Sequence, residues 1–202
     1  MVTLGIVAVT CVVTILAWQR PGLVDRLILW PPAVRKGQYD RLVTSGFIHA
    51  DVAHLAFNMI TLFFFGRVME SVLAQLGVGA LGYLLFYLSA LLVSVLPSYI
   101  KHRDDPNYRC LGASGAVSAV LFAFVLVSPW SLIFVFFIPA PAILYAVFYV
   151  GYSIWMDRRG GDNVNHGAHL AGAAYGVLFL VLLHPPIVQR FFTELANPAF
   201  LR

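Results

Sequence analysis

Two side chains stand out as able to do chemistry together. Ser114 lies in Gly112-Ala113-Ser114-Gly115 at the mouth of an apolar stretch, and His169 lies near the start of another apolar stretch far along the chain. A serine hydroxyl is a weak nucleophile at neutral pH, and an imidazole, with an unperturbed pKa of about 6.5, can accept its proton and return it. No acidic residue stands where it could obviously orient His169, so the pattern predicts a dyad rather than a triad. A carbonyl under attack also needs donors for the charge that develops on its oxygen. His54 and Asn58, four apart on one helical face, and the backbone N–H of Ser114 are the candidates, with His49 just ahead of that helix. Each residue alone has an ordinary structural reading: a membrane serine bonded back to its own helix, a histidine or asparagine bonding between helices. Their conjunction on three separate helices favours chemistry.

The elements that must position them are membrane helices. Of the 202 residues, 60% are hydrophobic and only 11% charged, against about 25% charged in an average soluble domain. The composition predicts an all-α integral membrane protein with six apolar spans, at about 2–18, 53–74, 79–100, 111–128, 132–155 and 167–184. The first lacks a basic leader and a small-residue cleavage pattern, and reads as a retained helix. Residues 1–202 read as one domain with a core of about 39–184 and a short interfacial helix in the tail, 185–202. Connections two and four read as minimal, the first, residues 19–52, as a long aromatic-basic segment suited to an interface, and the third and fifth as short polar loops, the odd-numbered ones sharing one side. Gly115, Ala119 and Ala123 form a small-residue stripe, matched by Ala168, Gly172 and Gly176. Two such smooth faces invite close packing that would bring Ser114 to His169. Arg67 and Glu70, three apart, read as an ion pair or a loop anchor. Cys11 and Cys110 show no metal spacing and no disulfide framework. The net charge of +4 sits in short loops and suits anionic lipid, not nucleic acid. No metal or other cofactor is expected.

Arg41, then His49-x4-His54-x3-Asn58 running on to Glu70, then Gly112-Ala113-Ser114-Gly115, then Ala168-His169-x2-Gly172-x3-Gly176 resembles the rhomboid family of intramembrane serine proteases, over roughly residues 39–180. The resemblance implies a six-transmembrane-helix bundle whose Ser-His dyad hydrolyses peptide bonds in or beside the transmembrane segments of single-pass or other membrane proteins. It implies Ser114 as nucleophile, His169 as base and acid, and His54 with Asn58 as oxyanion donors. Arg41, His49, Glu70, Gly112, Gly115, Gly172 and Gly176 fall to structural support. There are two departures. Asp40 precedes Arg41 where the family often has tryptophan, and Ser118 stands one turn below Ser114 where many members carry an aromatic ring beneath the imidazole.

Other readings are a catalytically silent rhomboid-like protein that binds membrane helices, a metal enzyme using His49, His54, His166 and His169, and a transporter. The last two are weak, for want of a His-Glu-x-x-His pattern or paired broken helices. Lys and Arg concentrate in the odd-numbered connections, which by the positive-inside rule would face the cytoplasm. Six-span rhomboids usually place those connections outside, and that orientation is the expected one, with the bacterial cell membrane as the expected location.

Overall fold

The computed structural model describes residues 1–135 and 138–198; part of the fifth apolar stretch and the last four residues of the tail lie outside them. Helix α1 (Val2–Gln19) begins at the carboxylate of Glu70, which accepts from the backbone N–H of Val2 and Thr3 at 2.7 and 3.0 Å and from the Thr3 hydroxyl at 2.7 Å. A carboxylate suits a helix N-terminus because it satisfies orphan amides at the positive end of the dipole. Glu70 is thus an anchor for α1, while Arg67 lies over the Phe63 ring at 5.2 Å; the expected pairing of the two gives way to these contacts.

The first connection folds into short helices α2 (Pro21–Leu27), α3 (Pro31–Arg35) and α4 (Arg41–Thr44) and a 3-10 turn, Ser45–Phe47. Proline opens α2 and α3, where its missing N–H costs nothing. The guanidinium of buried Arg41 binds the carbonyls of Asp25 and Ile28, both at 2.7 Å, and the Gln38 side chain at 2.7 Å, so it ties this connection into one piece. Asp40 pairs with Arg26 at 2.7 Å, which holds its carboxyl below the usual carboxylate range and seats the same connection.

Asp51 caps α5 (Val52–Thr61), which continues through a π turn, Leu62–Gly66, into α6 (Arg67–Gln75). Helix α7 runs Gly79–Lys101, α8 Ser114–Val127, α9 Ala142–Arg159, α10 His166–Leu183 and α11 Pro186–Ala196. Among the described residues, α1, the α5–α6 rod, α7 and α10 are long and apolar enough to cross a membrane. Helix α8 has 14 residues, every one from Gly115 to Leu126 buried, as befits a helix apolar all round. At 1.5 Å per residue it covers only about 21 Å of a roughly 30 Å hydrocarbon layer. The expected fourth span thus starts late, with its first three residues in loop.

The fifth stretch departs further. Leu132–Val135 (β1) and Ile138–Pro141 (β2) form an antiparallel hairpin, with Leu132 opposite Pro141, and helix begins only at Ala142. Connection four is therefore not minimal. Pro139 and Pro141 explain the late start, since a proline inside a helix clashes with the preceding turn. The tail helix is present as α11, with Ile187 buried and Phe192 exposed.

Contacts between connections one and three place these two at one end. The Trp30 indole donates to the Pro106 carbonyl at 2.9 Å, Arg35 pairs with Asp104 at 2.9 Å, and Leu29 and Cys110 exchange backbone bonds at 3.0 and 3.2 Å. The innermost packing is α8 on α10. A Cβ at Gly172 would overlap the Gly115 carbonyl oxygen and lie 2.8 Å from its carbon, and one at Gly176 would lie 2.6 Å from the Ala119 carbonyl carbon. The two small-residue stripes meet as the spacing predicts.

Candidate active site

The close α8–α10 packing places Ser114, first residue of α8, opposite His169 in the first turn of α10. The Ser114 Oγ to His169 Nε2 distance is 2.7 Å. The Ser114 hydroxyl is thus engaged across helices. The back-bonded serine is instead Ser118, which donates to the Ser114 carbonyl at 2.8 Å. A hydroxyl and an imidazole set among apolar membrane helices need partners or a function. An open cavity of about 1220 Å³ reaches Ser114 and His169, lined by Phe57, His54 and Asn58 of α5, by Tyr145 and Tyr149 of α9 and by both members of the pair.

The chain enters α8 through Gly112, whose φ of +113° suits glycine alone. Its Cα also abuts the His54 ring: a side chain there would lie 2.6 Å from His54 Cε1. His54 therefore faces the loop that delivers Ser114. Asn58, buried one turn on, donates one amide hydrogen to the His54 carbonyl at 2.8 Å, leaving the amide's second hydrogen as a donor. The amides of the first turn of α8 have no intrahelical acceptor and sit at the positive end of the helix dipole. The geometry thus gathers a hydroxyl, two imidazoles and a side-chain amide in one cavity.

His49 is buried behind this loop. Its Nε2 accepts the Ala113 N–H at 3.3 Å, which requires the neutral ring, and its Nδ1 then donates to Thr14 of α1 at 3.2 Å. Burial pushes the His49 pKa down to about 4, with neighbouring His54 adding to the effect and Asp51 opposing it. His49 holds the residue before Ser114 and lies edge-on to His54, ring centroids 4.9 Å apart.

Sequence reasoning missed Tyr149. Its ring lies nearly parallel to His169, centroids 6.0 Å apart, and its hydroxyl is 2.6 Å from Ser118 Oγ. The aromatic support absent from position 118 comes from α9, and the serine there hydrogen-bonds the ring that replaces it. His166 pairs with Asp162 at 3.1 Å and lies edge-on to His169 at 5.9 Å. His102 stacks on Tyr108, ring centroids 4.1 Å apart. Among the described residues no three His, Cys, Asp or Glu side chains group as metal ligands would.

With this geometry in view, similarity to known proteins decides the family. A family model described as Rhomboid domain matches residues 36–186. The chain belongs to the rhomboid family. It is 34% identical over 157 residues to RHOMBOID-like protein 12, mitochondrial, of Arabidopsis thaliana, covering 71% of this chain and 46% of that protein. It is 30% identical over 193 residues to the human Presenilin-associated rhomboid-like protein, mitochondrial, covering 89% and 48%. To the Rhomboid-like protein 11, chloroplastic, of Arabidopsis thaliana it is 34% identical over 161 residues, covering 71% and 52%. This rhomboid spans about half the length of the curated relatives it matches. Their names are organellar, so the expected bacterial cell membrane finds no support among them; what stands is an integral membrane protein.

Proposed function

We propose that this rhomboid is a serine endopeptidase that cuts transmembrane or juxtamembrane segments of other membrane proteins, single-pass proteins among them, and that residues 1–202 form one such domain with its core at about 39–184. The observation that carries the reading is the 2.7 Å contact of Ser114 Oγ with His169 Nε2 inside an open cavity. Ser114 Oγ attacks the scissile carbonyl while its proton passes to His169 Nε2. The negative charge then on the carbonyl oxygen is met by the Ser114 N–H, His54 and the free Asn58 hydrogen, at the positive end of α8. His169 gives the proton to the departing amine, which leaves an acyl group on Ser114. Water from the cavity, activated by the same imidazole, hydrolyses that ester and restores the serine. Arg41, Glu70 and His49 brace the surrounding loops and helices, and Gly112, Gly115, Gly172 and Gly176 permit the close approaches.

A silent binding protein would not need this pairing. The test is cleavage of a single-span substrate in proteoliposomes by the parent protein and by Ser114→Ala. Loss of cutting in the alanine form supports the protease; equal cutting, or none by either, overturns it.

A further inference from the structure

Cys110 lies four residues before Ser114, and Asn165 lies four residues before His169. Between them the side-chain amide of Asn165 spends its whole bonding capacity. Its Oδ1 accepts from the Ala168 N–H at 3.0 Å, capping α10, and from Ser98 Oγ of α7 at 2.8 Å. Its Nδ2 donates to Tyr108 Oη at 3.1 Å and to Cys110 Sγ at 3.2 Å. Two lone pairs and two hydrogens are an amide's full complement. The partners are themselves fixed: Tyr108 is stacked on His102 at 4.1 Å, and Cys110 is bonded through its backbone to Leu29. A cap alone needs only the oxygen, to accept from the third helical amide. The two donated bonds serve another end. They join the stretch that leads into the nucleophile to the turn that carries the base, one step outside the Ser114–His169 contact.

We propose that Asn165 is a positioning residue for the dyad: its amide locks the segment leading to Ser114, through Cys110 and Tyr108, to the first turn of α10, and so sets the reach of His169 Nε2 toward Ser114 Oγ. Helix α10 otherwise touches α8 through glycine faces, which set how closely the two backbones approach. Asn165 supplies the polar link that such faces lack. The kinetic part of this inference rests on the proteolytic reading above. A dyad displaced by a fraction of an ångström to 1 Å loses rate in the chemical step and not in substrate affinity.

The test compares the parent, Asn165→Ala, Asn165→Asp and Tyr108→Phe, each reconstituted in vesicles with a single-span substrate. Asn165→Ala is expected to lower kcat at least ~10-fold with KM within about twofold, and to slow labelling of Ser114 by a fluorophosphonate in parallel. Asn165→Asp keeps the cap and loses the donors, and is expected to fall between the two. Tyr108→Phe removes the bond to the Asn165 amide and is expected to slow kcat by roughly 2- to 5-fold. A folded Asn165→Ala with kcat and labelling within about twofold of the parent overturns the inference. If Asn165→Ala does not fold, Asn165→Asp and Tyr108→Phe decide, and parental labelling in both overturns it. Amide hydrogen exchange over residues 166–170 supplies an arm that needs no activity. Faster exchange there in Asn165→Asp, which keeps the cap, supports the lock, and unchanged protection overturns it. A parent that neither cuts nor labels marks the failure of the protease reading, and the exchange arm still decides the role of Asn165.

Discussion

Replacing Gly172 by alanine perturbs the dyad without touching either of its members. A Cβ there would lie 2.8 Å from the Gly115 carbonyl carbon and 3.2 Å from its Cα, and would overlap the carbonyl oxygen. Carbon atoms rest at about 3.5–4.0 Å, and all three obstacles are backbone, so no side chain can swing aside. Helices α8 and α10 must separate by about 1 Å at this crossing. Gly115 adjoins Ser114, and Gly172 is one turn from His169, so the 2.7 Å hydroxyl–imidazole contact opens beyond hydrogen-bond reach. Overpacking of this kind costs about 1–3 kcal/mol of stability, tolerable in an otherwise intact bundle, whereas a misplacement of about 1 Å costs on the order of 10²-fold in rate. The assay is cleavage of a single-span substrate in proteoliposomes, with a thermal melt of each variant in detergent. Gly151→Ala is the control, because nothing lies within 4 Å of a Cβ at that site; it is expected to match the parent. A folded Gly172→Ala that cuts within about twofold of the parent would refute the claim that backbone contact between α8 and α10 sets the dyad distance.

Two further outcomes are expected. His49 is pushed down to about 4 in the folded protein by burial, so between that value and about 6.5 the unfolded chain binds the extra proton and stability falls as pH falls, by at most about 3 kcal/mol. Melting curves from pH 7 to 4.5 should show this loss, and His49→Gln should make it shallower; an unchanged slope in the variant would locate the effect elsewhere. On the substrate side, a regular helix shields its carbonyls, and glycine or proline near the cut lowers the cost of unwinding by about 1 and 3 kcal/mol. Cleavage is expected near the membrane boundary on the side of the odd-numbered connections, after a small residue such as alanine, and replacing helix breakers by leucine should slow it at matched membrane density. Equal rates for the two substrates would remove unwinding from the mechanism.

Much of the site is legible in the amino-acid sequence because it depends on spacing along helices. The glycine and alanine stripes, four residues apart, dictate which faces of α8 and α10 meet, and with them the approach of Ser114 to His169. Other features depend on contacts between distant segments, to which a local pattern is blind. Tyr149 comes from α9, and no spacing relates it to position 118. Glu70 reads equally well as a partner of Arg67, and only the packing of α1 against α6 turns its carboxylate to the Thr3 amide. The apolar run from Leu132 is compatible with strand or helix by hydrophobicity alone; Pro139 and Pro141 are the signal that the helix starts after them. Asn165 likewise carries a legible cap signal, an asparagine three residues before the amide it binds, whereas its bonds to Tyr108 and Cys110 require the loop to fold back.

The most direct measurement is covalent labelling of the reconstituted protein by a fluorophosphonate, with the modified residue located by peptide mass spectrometry. The expected result is a single adduct on Ser114, formed by the parent protein and lost in His169→Ala, with folding of both verified by melting. An adduct on another residue, or undiminished labelling of Ser114 without the histidine, would contradict the assignment of a Ser114–His169 dyad.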